Sequence, residues 1–114
     1  MKLAIIGSRT AIDYSLLLRV INEYFPSKIT EVVSGGAKGA DSLGAKFAKD
    51  NNIKLVEFLP DWDKYGKRAG FVRNQDIIEY ADKVLGIWDG VSKGTANSLS
   101  IAKRLKKDTL IIYF

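Results

Sequence analysis

The chain has 114 residues, 46% hydrophobic and 27% charged, the size and balance of one soluble domain that buries its own core. It holds no cysteine and no histidine, which excludes disulfides, thiolate zinc sites and cysteine nucleophiles and removes the commonest general base and metal ligand, so no metal site is expected. A formal charge of +5 favours anionic partners without choosing between phosphorylated small molecules and nucleic acid; with no apolar run long enough for a signal peptide or membrane span, the expected location is the cytoplasm.

Residues 3–6, Leu3-Ala4-Ile5-Ile6, are an uninterrupted apolar run of the kind buried on both faces of a sheet, and they end at Gly7-Ser8-Arg9. From 14 to 25, Leu16, Leu17, Val20, Ile21, Tyr24 and Phe25 recur at helical spacing, and Pro26 stops the helix. A second strand at 31–34 runs into Gly35-Gly36-Ala37-Lys38-Gly39-Ala40-Asp41, after which Leu43, Phe47 and Ala48 mark another helix. The third strand, 54–58, opens into a polar loop at 59–68 with Pro60, Trp62, Tyr65 and Gly66, too long for a plain connector and suited to a lid. A helix over 69–80 and a fourth strand at 83–88 follow. Asp89-Gly90-Val91-Ser92-Lys93-Gly94-Thr95 then leads to a helix carrying Ala96, Leu99, Ala102 and Leu105, and a fifth strand at 109–113 ends the pattern.

Strict alternation of strand and helix predicts an α/β Rossmann-like domain of three layers, a parallel sheet of five strands with helices on both faces. The preferred order is 3-2-1-4-5, because it gives the wholly apolar first strand neighbours on both sides; the flavodoxin-like 2-1-3-4-5 is the alternative. In the preferred order the winding reverses between strands one and four. The loops after strands one, two and four converge at that switch point, where open α/β sheets bind ligands.

Gly35, Gly36 and Gly39 meet the needs of a phosphate cradle, since glycines let backbone N–H groups approach an anion at a helix N-terminus. They fit neither G-x-x-x-x-G-K-[ST] nor G-x-G-x-x-G, and Ser34 stands where an NAD fold would put an acidic ribose ligand. Asp89, Gly90, Ser92, Lys93, Gly94 and Thr95 form a second such loop, in which Thr95 offers a hydroxyl or a plain N-cap. Ser8 and Arg9 supply a third polar loop end, with Arg9 able to fork onto phosphate. Trp62 and Tyr65 could stack on a base or simply pin their loop. Arg73, beside Asn74 near a helix start, opposes the helix dipole and needs a reason to be there; a salt bridge to Asp76 or Glu79 is the plain one. Lys103, Arg104, Lys106 and Lys107 read as a solvated helix end.

These segments, in order and spacing, resemble the SLOG superfamily of Rossmann-like nucleotide-ligand domains, and within it the small YspA-like branch. The match runs through Gly7-Ser8-Arg9, Gly35 to Asp41, Asp61-Trp62, Gly66-Lys67, Ala69-Gly70, Arg73-Asn74, Asp89-Gly90 and Ser92 to Thr95. The resemblance implies a nucleotide or ADP-ribose-type ligand, no identified cofactor, and a site that adds Ala37, Lys38, Ser8, Arg9, Arg73 and Asn74 to the glycine loops. It also relates the chain to the Lonely Guy phosphoribohydrolases and to the DNA-processing protein of transformation. The Lonely Guy pattern Gly-Gly-x-Gly-Thr-x-x-Glu is not met: Ser92-Lys93 replace the first glycines and Ser98 replaces the glutamate. The favoured expectation is therefore ligand binding or sensing. A nucleotide-cleaving enzyme using Asp41, Asp89 or Asp61, and a single-stranded nucleic-acid-binding protein, stand as alternatives, with self-association left open.

Overall fold

The computed structural model describes residues 1–114. Strands β1 Lys2–Gly7, β2 Glu31–Ser34, β3 Lys54–Glu57, β4 Lys83–Trp88 and β5 Asp108–Tyr113 form one parallel sheet in the order β3-β2-β1-β4-β5. This is the doubly wound order that the apolar first strand predicts. Leu3, Ala4 and Ile5 have no solvent exposure because β1 is paired along both edges and covered on both faces.

The helices are α1 Tyr14–Tyr24, α2 Ala40–Asp50, the single turn α3 Trp62–Tyr65, α4 Ala69–Tyr80 and α5 Lys93–Arg104. Side chains alternate along each strand, so the two faces carry different partners. Leu3, Ile5, Val32, Leu85 and Ile87 pack on one face against Leu17, Val20 and Ile21 of α1 and Leu43 and Phe47 of α2. Ala4, Ile6, Val33 and Val84 pack on the other against Ile77 and Ile78 of α4 and Leu99, Ile101 and Ala102 of α5. Asp13 starts α1 by accepting the Leu16 N–H at 3.1 Å. None of the helices is long and apolar enough to cross a membrane.

Two stretches differ from the sequence expectation. The predicted loop at 59–68 contains α3, capped by Asp61 on the Lys64 N–H at 3.1 Å, and a 3-10 turn Gly66–Arg68 that runs straight into α4. The last helix begins at Lys93 rather than near Ala96, which places Ser92 at its N-cap and Gly94 and Thr95 inside its first turn.

Candidate functional site

At the carboxyl ends of the strands, Ser8 ties three loops together. Its carbonyl accepts the N–H groups of Ala11 (3.1 Å) and Ala40 (3.2 Å), and its hydroxyl accepts the Asp89 N–H (3.0 Å). The chain can approach this closely because two positions lack a Cβ. At Gly7 one would lie 2.1 Å from the Ile87 carbonyl oxygen, and at Gly39, with φ +77°, one would lie 2.3 Å from that of Ser8. Ser8 is 1% exposed, so this hydroxyl, read from sequence as a ligand contact, also joins the ends of β1 and β4.

The loop 35–39 is tied down by three side chains. The Ala37 N–H donates to Asp41 Oδ2 at 3.1 Å, the Gly36 N–H reaches Ser34 Oγ at 3.3 Å, and the Gly35 carbonyl accepts Arg73 Nη1 at 2.7 Å. Arg73 thus has its reason in α4: it crosses to the glycine loop and donates through Nε to Asn74 Oδ1 (3.0 Å), rather than bridging Asp76 or Glu79. Asp41 is 9% exposed, and burial pushes its carboxyl up to about 6; the Ala37 N–H and Arg73 oppose that rise while Glu57 adds to it.

The loop 89–92 is built the other way round. Asp89 Oδ1 accepts the N–H groups of Val91 (2.9 Å) and Ser92 (2.8 Å), and Oδ2 accepts the Ser92 hydroxyl (2.8 Å). These donors hold the Asp89 carboxyl down at about 2. Because Ser92 turns its hydroxyl back onto Asp89, α5 has no side-chain cap, and the N–H groups of residues 93–95 precede the first intrahelical bond, Ala96 N–H to the Ser92 carbonyl.

A cavity of about 340 Å³ opens between these loops. Of the residues singled out from sequence it gathers Gly7, Ser8, Arg9, Ala37, Asp41, Arg73, Asn74, Asp89, Ser92, Lys93, Gly94 and Thr95. Gly35, Gly36, Lys38, Gly39, Gly90 and Trp62 do not line it. Gly35 is covered by Arg73, Gly36 abuts Leu59 and Glu57, and Gly39 is pressed on Ser8 and Arg9, so these glycines shape the loop rather than face the cavity. Lys38 and Gly90 point to solvent, and Trp62 is 59% exposed on α3, outside the cavity, with Tyr65 beside it under Lys64.

Four lining residues escaped the sequence reading of the pocket: Ile6, Thr10, Ile77 and Ser98. Ile77 lies one turn beyond Arg73 and Ser98 one turn beyond Gly94, so helical spacing from residues already chosen would have found both. Thr95 and Ser98 are 5% and 4% exposed, and both border the cavity.

Comparisons with known proteins agree with this architecture. The chain is 33% identical over 79 residues to Gene 61 protein of Mycobacterium phage D29, a match covering 64% of this chain and 63% of that one. It superimposes on DNA processing protein A (DprA) from Streptococcus pneumoniae with a TM-score of 0.77 at 18% identity, over 96% of this chain and 49% of that one, which is a likeness of fold. The chain thus spans less than two thirds of either protein's length. Residues 1–65, more than half of the sequence and including β1, the 35–39 loop and α3, match the family described as YspA, cpYpsA-related SLOG, and the chain belongs to that family.

Proposed function

We propose that the protein binds a phosphorylated, nucleotide-derived small molecule, with its phosphate at the first turn of α5. The observation that carries this reading is the open helix start: uncapped N–H groups at 93–95 next to the hydroxyls of two largely buried residues, Thr95 and Ser98, in a cavity also lined by Arg9 and Lys93. A helix N-terminus with free donors and positive dipole favours an anion, and hydroxyl donors and two cations strengthen it. Arg9, Arg73 and Lys93 outnumber the carboxylates of Asp41 and Asp89, so the lining is net positive. A volume of about 340 Å³ is at the small end for ligand sites and suits a mononucleotide or one end of an ADP-ribose-type molecule.

Hydrolysis of such a ligand would fall to Asp41 before Asp89, whose carboxylate already accepts three donors from its own loop. Binding is therefore the reading to test first. Thermal shift and calorimetry against AMP, ADP-ribose and cyclic mononucleotides at low ionic strength should find at least one stabilising ligand. Thr95→Val and Lys93→Ala should weaken it, and the absence of any stabilisation across that panel overturns the reading.

A further inference from the structure

Asp41 stands out among the groups facing the cavity. It is a carboxylate in the first turn of α2, 9% exposed, and it lines the same cavity as the open start of α5. Its Oδ2 takes the Ala37 N–H at 3.1 Å, and the Gly35 N–H leans on it from farther off. A carboxylate offers about four acceptor sites, so most of its capacity is left over. Desolvating such a group is costly, and nothing in the loop requires a full charge to hold one N–H. The leftover capacity opens onto the cavity.

The neighbours narrow what could use it. Arg73 from α4 fixes a guanidinium beside the loop through its 2.7 Å bond to the Gly35 carbonyl, and Arg9 and Lys93 line the same space. A cationic ligand group would meet those charges. A second phosphate would meet the carboxylate. Neutral donors fit, and paired hydroxyls suit a carboxylate with two oxygens. With the phosphate at α5, this puts the hydroxyl-bearing part of the ligand toward α2.

Resting on the reading above, we propose that Asp41 is a specificity-determining acceptor for the sugar hydroxyls of the ligand, so that the pocket selects ribose phosphates over their deoxy counterparts. The loop 35–39 is then a sugar-selecting element rather than a phosphate cradle. Its carboxylate, supplied by the protein in the first turn of α2, sets that end of the cavity against a ligand anion, whereas the first turn of α5 carries no carboxylate. Hydroxyl recognition by a buried charge discriminates strongly, because a deoxy analogue leaves that charge without a partner.

The test is calorimetry with AMP, 2′-deoxy-AMP, 3′-deoxy-AMP and sulfate, on the wild-type chain and on Asp41→Asn. At pH 8 at least one deoxy nucleotide should bind wild type about tenfold or more weakly than AMP. Asp41→Asn should cut that ratio below about threefold while sulfate binds as well as before or better, since a negative charge has left the cavity. If the variant does not fold, the wild-type ratio measured at pH 8 and pH 5 carries the same test. Glu57 from β3 and Arg73 from α4 face Asp41, and burial sets its protonation near pH 6, so the preference should shrink at pH 5. Taking the ratio cancels the ionisation of the nucleotide phosphate. Equal binding of the three nucleotides at pH 8, or a ratio indifferent to both Asp41→Asn and pH, overturns the inference while leaving the phosphate site standing. Failure of sulfate and every nucleotide to bind removes the phosphate reading, and this inference with it.

Discussion

The two glycine-rich loops, 35–39 before α2 and 89–92 before α5, look alike in sequence and are built for opposite ends. In the first, the carboxylate comes after the glycines, in the helix itself, and takes up a loop N–H; in the second it comes before them, and Asp89 draws the N-cap hydroxyl away from the helix. The glycines differ as well. A Cβ at Gly35, Gly36 or Gly39 would lie 2.6 Å or closer to a neighbouring atom, whereas at Gly90 and Gly94 it would meet nothing within 4 Å. A strand, a glycine loop and a helix therefore do not by themselves make an anion site. What decides is whether the protein's own acceptors already occupy the N–H groups.

The largest break in that comparison is Gly39→Ala set against Gly94→Ala. Gly39 has φ +77°, and its new methyl would fall 2.3 Å from the Ser8 carbonyl oxygen and 2.5 Å from the Arg9 backbone. Backbone strain and overpacking together should cost about 3 kcal/mol or more, on the order of 10 °C in melting temperature. Gly94→Ala adds a methyl to open space in a helical first turn and should leave urea stability unchanged or raise it by up to about 1 kcal/mol. Equal losses from the two would erase the distinction between a packed loop and an open one.

Asp41→Asn comes next and has the opposite sign. The folded carboxyl is raised from 3.8 to about 6, chiefly by burial, so the folded chain holds this proton more tightly than the unfolded one. Wild-type stability on this account falls as pH rises from about 4 to about 6 and stays reduced above it. Removing the charge should stabilise the protein by up to about 3 kcal/mol at pH 7.5 and by nearly nothing below pH 4. Urea titrations at the two pH values check this, and a variant less stable than wild type at pH 7.5 would mean the loop needs the charge for its own fold.

These contrasts mark what could be read from the sequence. The order β3-β2-β1-β4-β5 was legible because Leu3-Ala4-Ile5-Ile6 has no polar face, and a strand with no polar face must be paired and covered on all sides. The convergence of Ser8, Arg9, Asp41 and the 92–95 segment followed from that order, whereas Arg73 came from the family resemblance. The direction in which each loop spends its hydrogen bonds did not, because it depends on rotamers such as that of Ser92, which can cap its helix or turn to Asp89 with the same sequence. Gly35, Gly36 and Gly39 looked like ligand contacts because glycine marks close approach of something, and only coordinates tell a ligand from Arg73, Leu59 or Ser8. The start of α5 was placed too late because Lys93-Gly94 carries no helix-start signal once the cap hydroxyl is used elsewhere.

A smaller effect is expected at Asp89, and with the opposite pH dependence to Asp41. Its carboxyl is held at about 2 by the Val91 and Ser92 N–H groups, so its contribution to stability is present above the ordinary carboxylate range and is lost as pH falls toward 2. Asp89→Ala should lower the melting temperature slightly at pH 7, less at pH 3, and should free the Ser92 hydroxyl to cap α5. Nucleotide binding should then weaken more than stability does, since a capped helix has fewer donors to offer. If binding tightens instead, the Asp89 charge was repelling the ligand more than its clamp was helping.

The smallest effect separates the two tryptophans. Trp88 ends β4 and donates Nε1–H to the Ser92 carbonyl at 3.1 Å, so its indole is tied to the start of α5, while Trp62 is 59% exposed on α3 and outside the cavity. Trp62→Phe keeps an aromatic ring at a position more than half exposed and should change stability by less than about 1 kcal/mol. It leaves Trp88 as the sole indole, whose emission should shift when a nucleotide or sulfate reaches residues 93–95. In Trp88→Phe the remaining Trp62 should stay silent to sulfate. A response from Trp62 to nucleotide but not to sulfate would show α3 folding over the base, restoring the lid that the sequence of that segment suggests, and would make the two loops and α3 parts of one enclosed site.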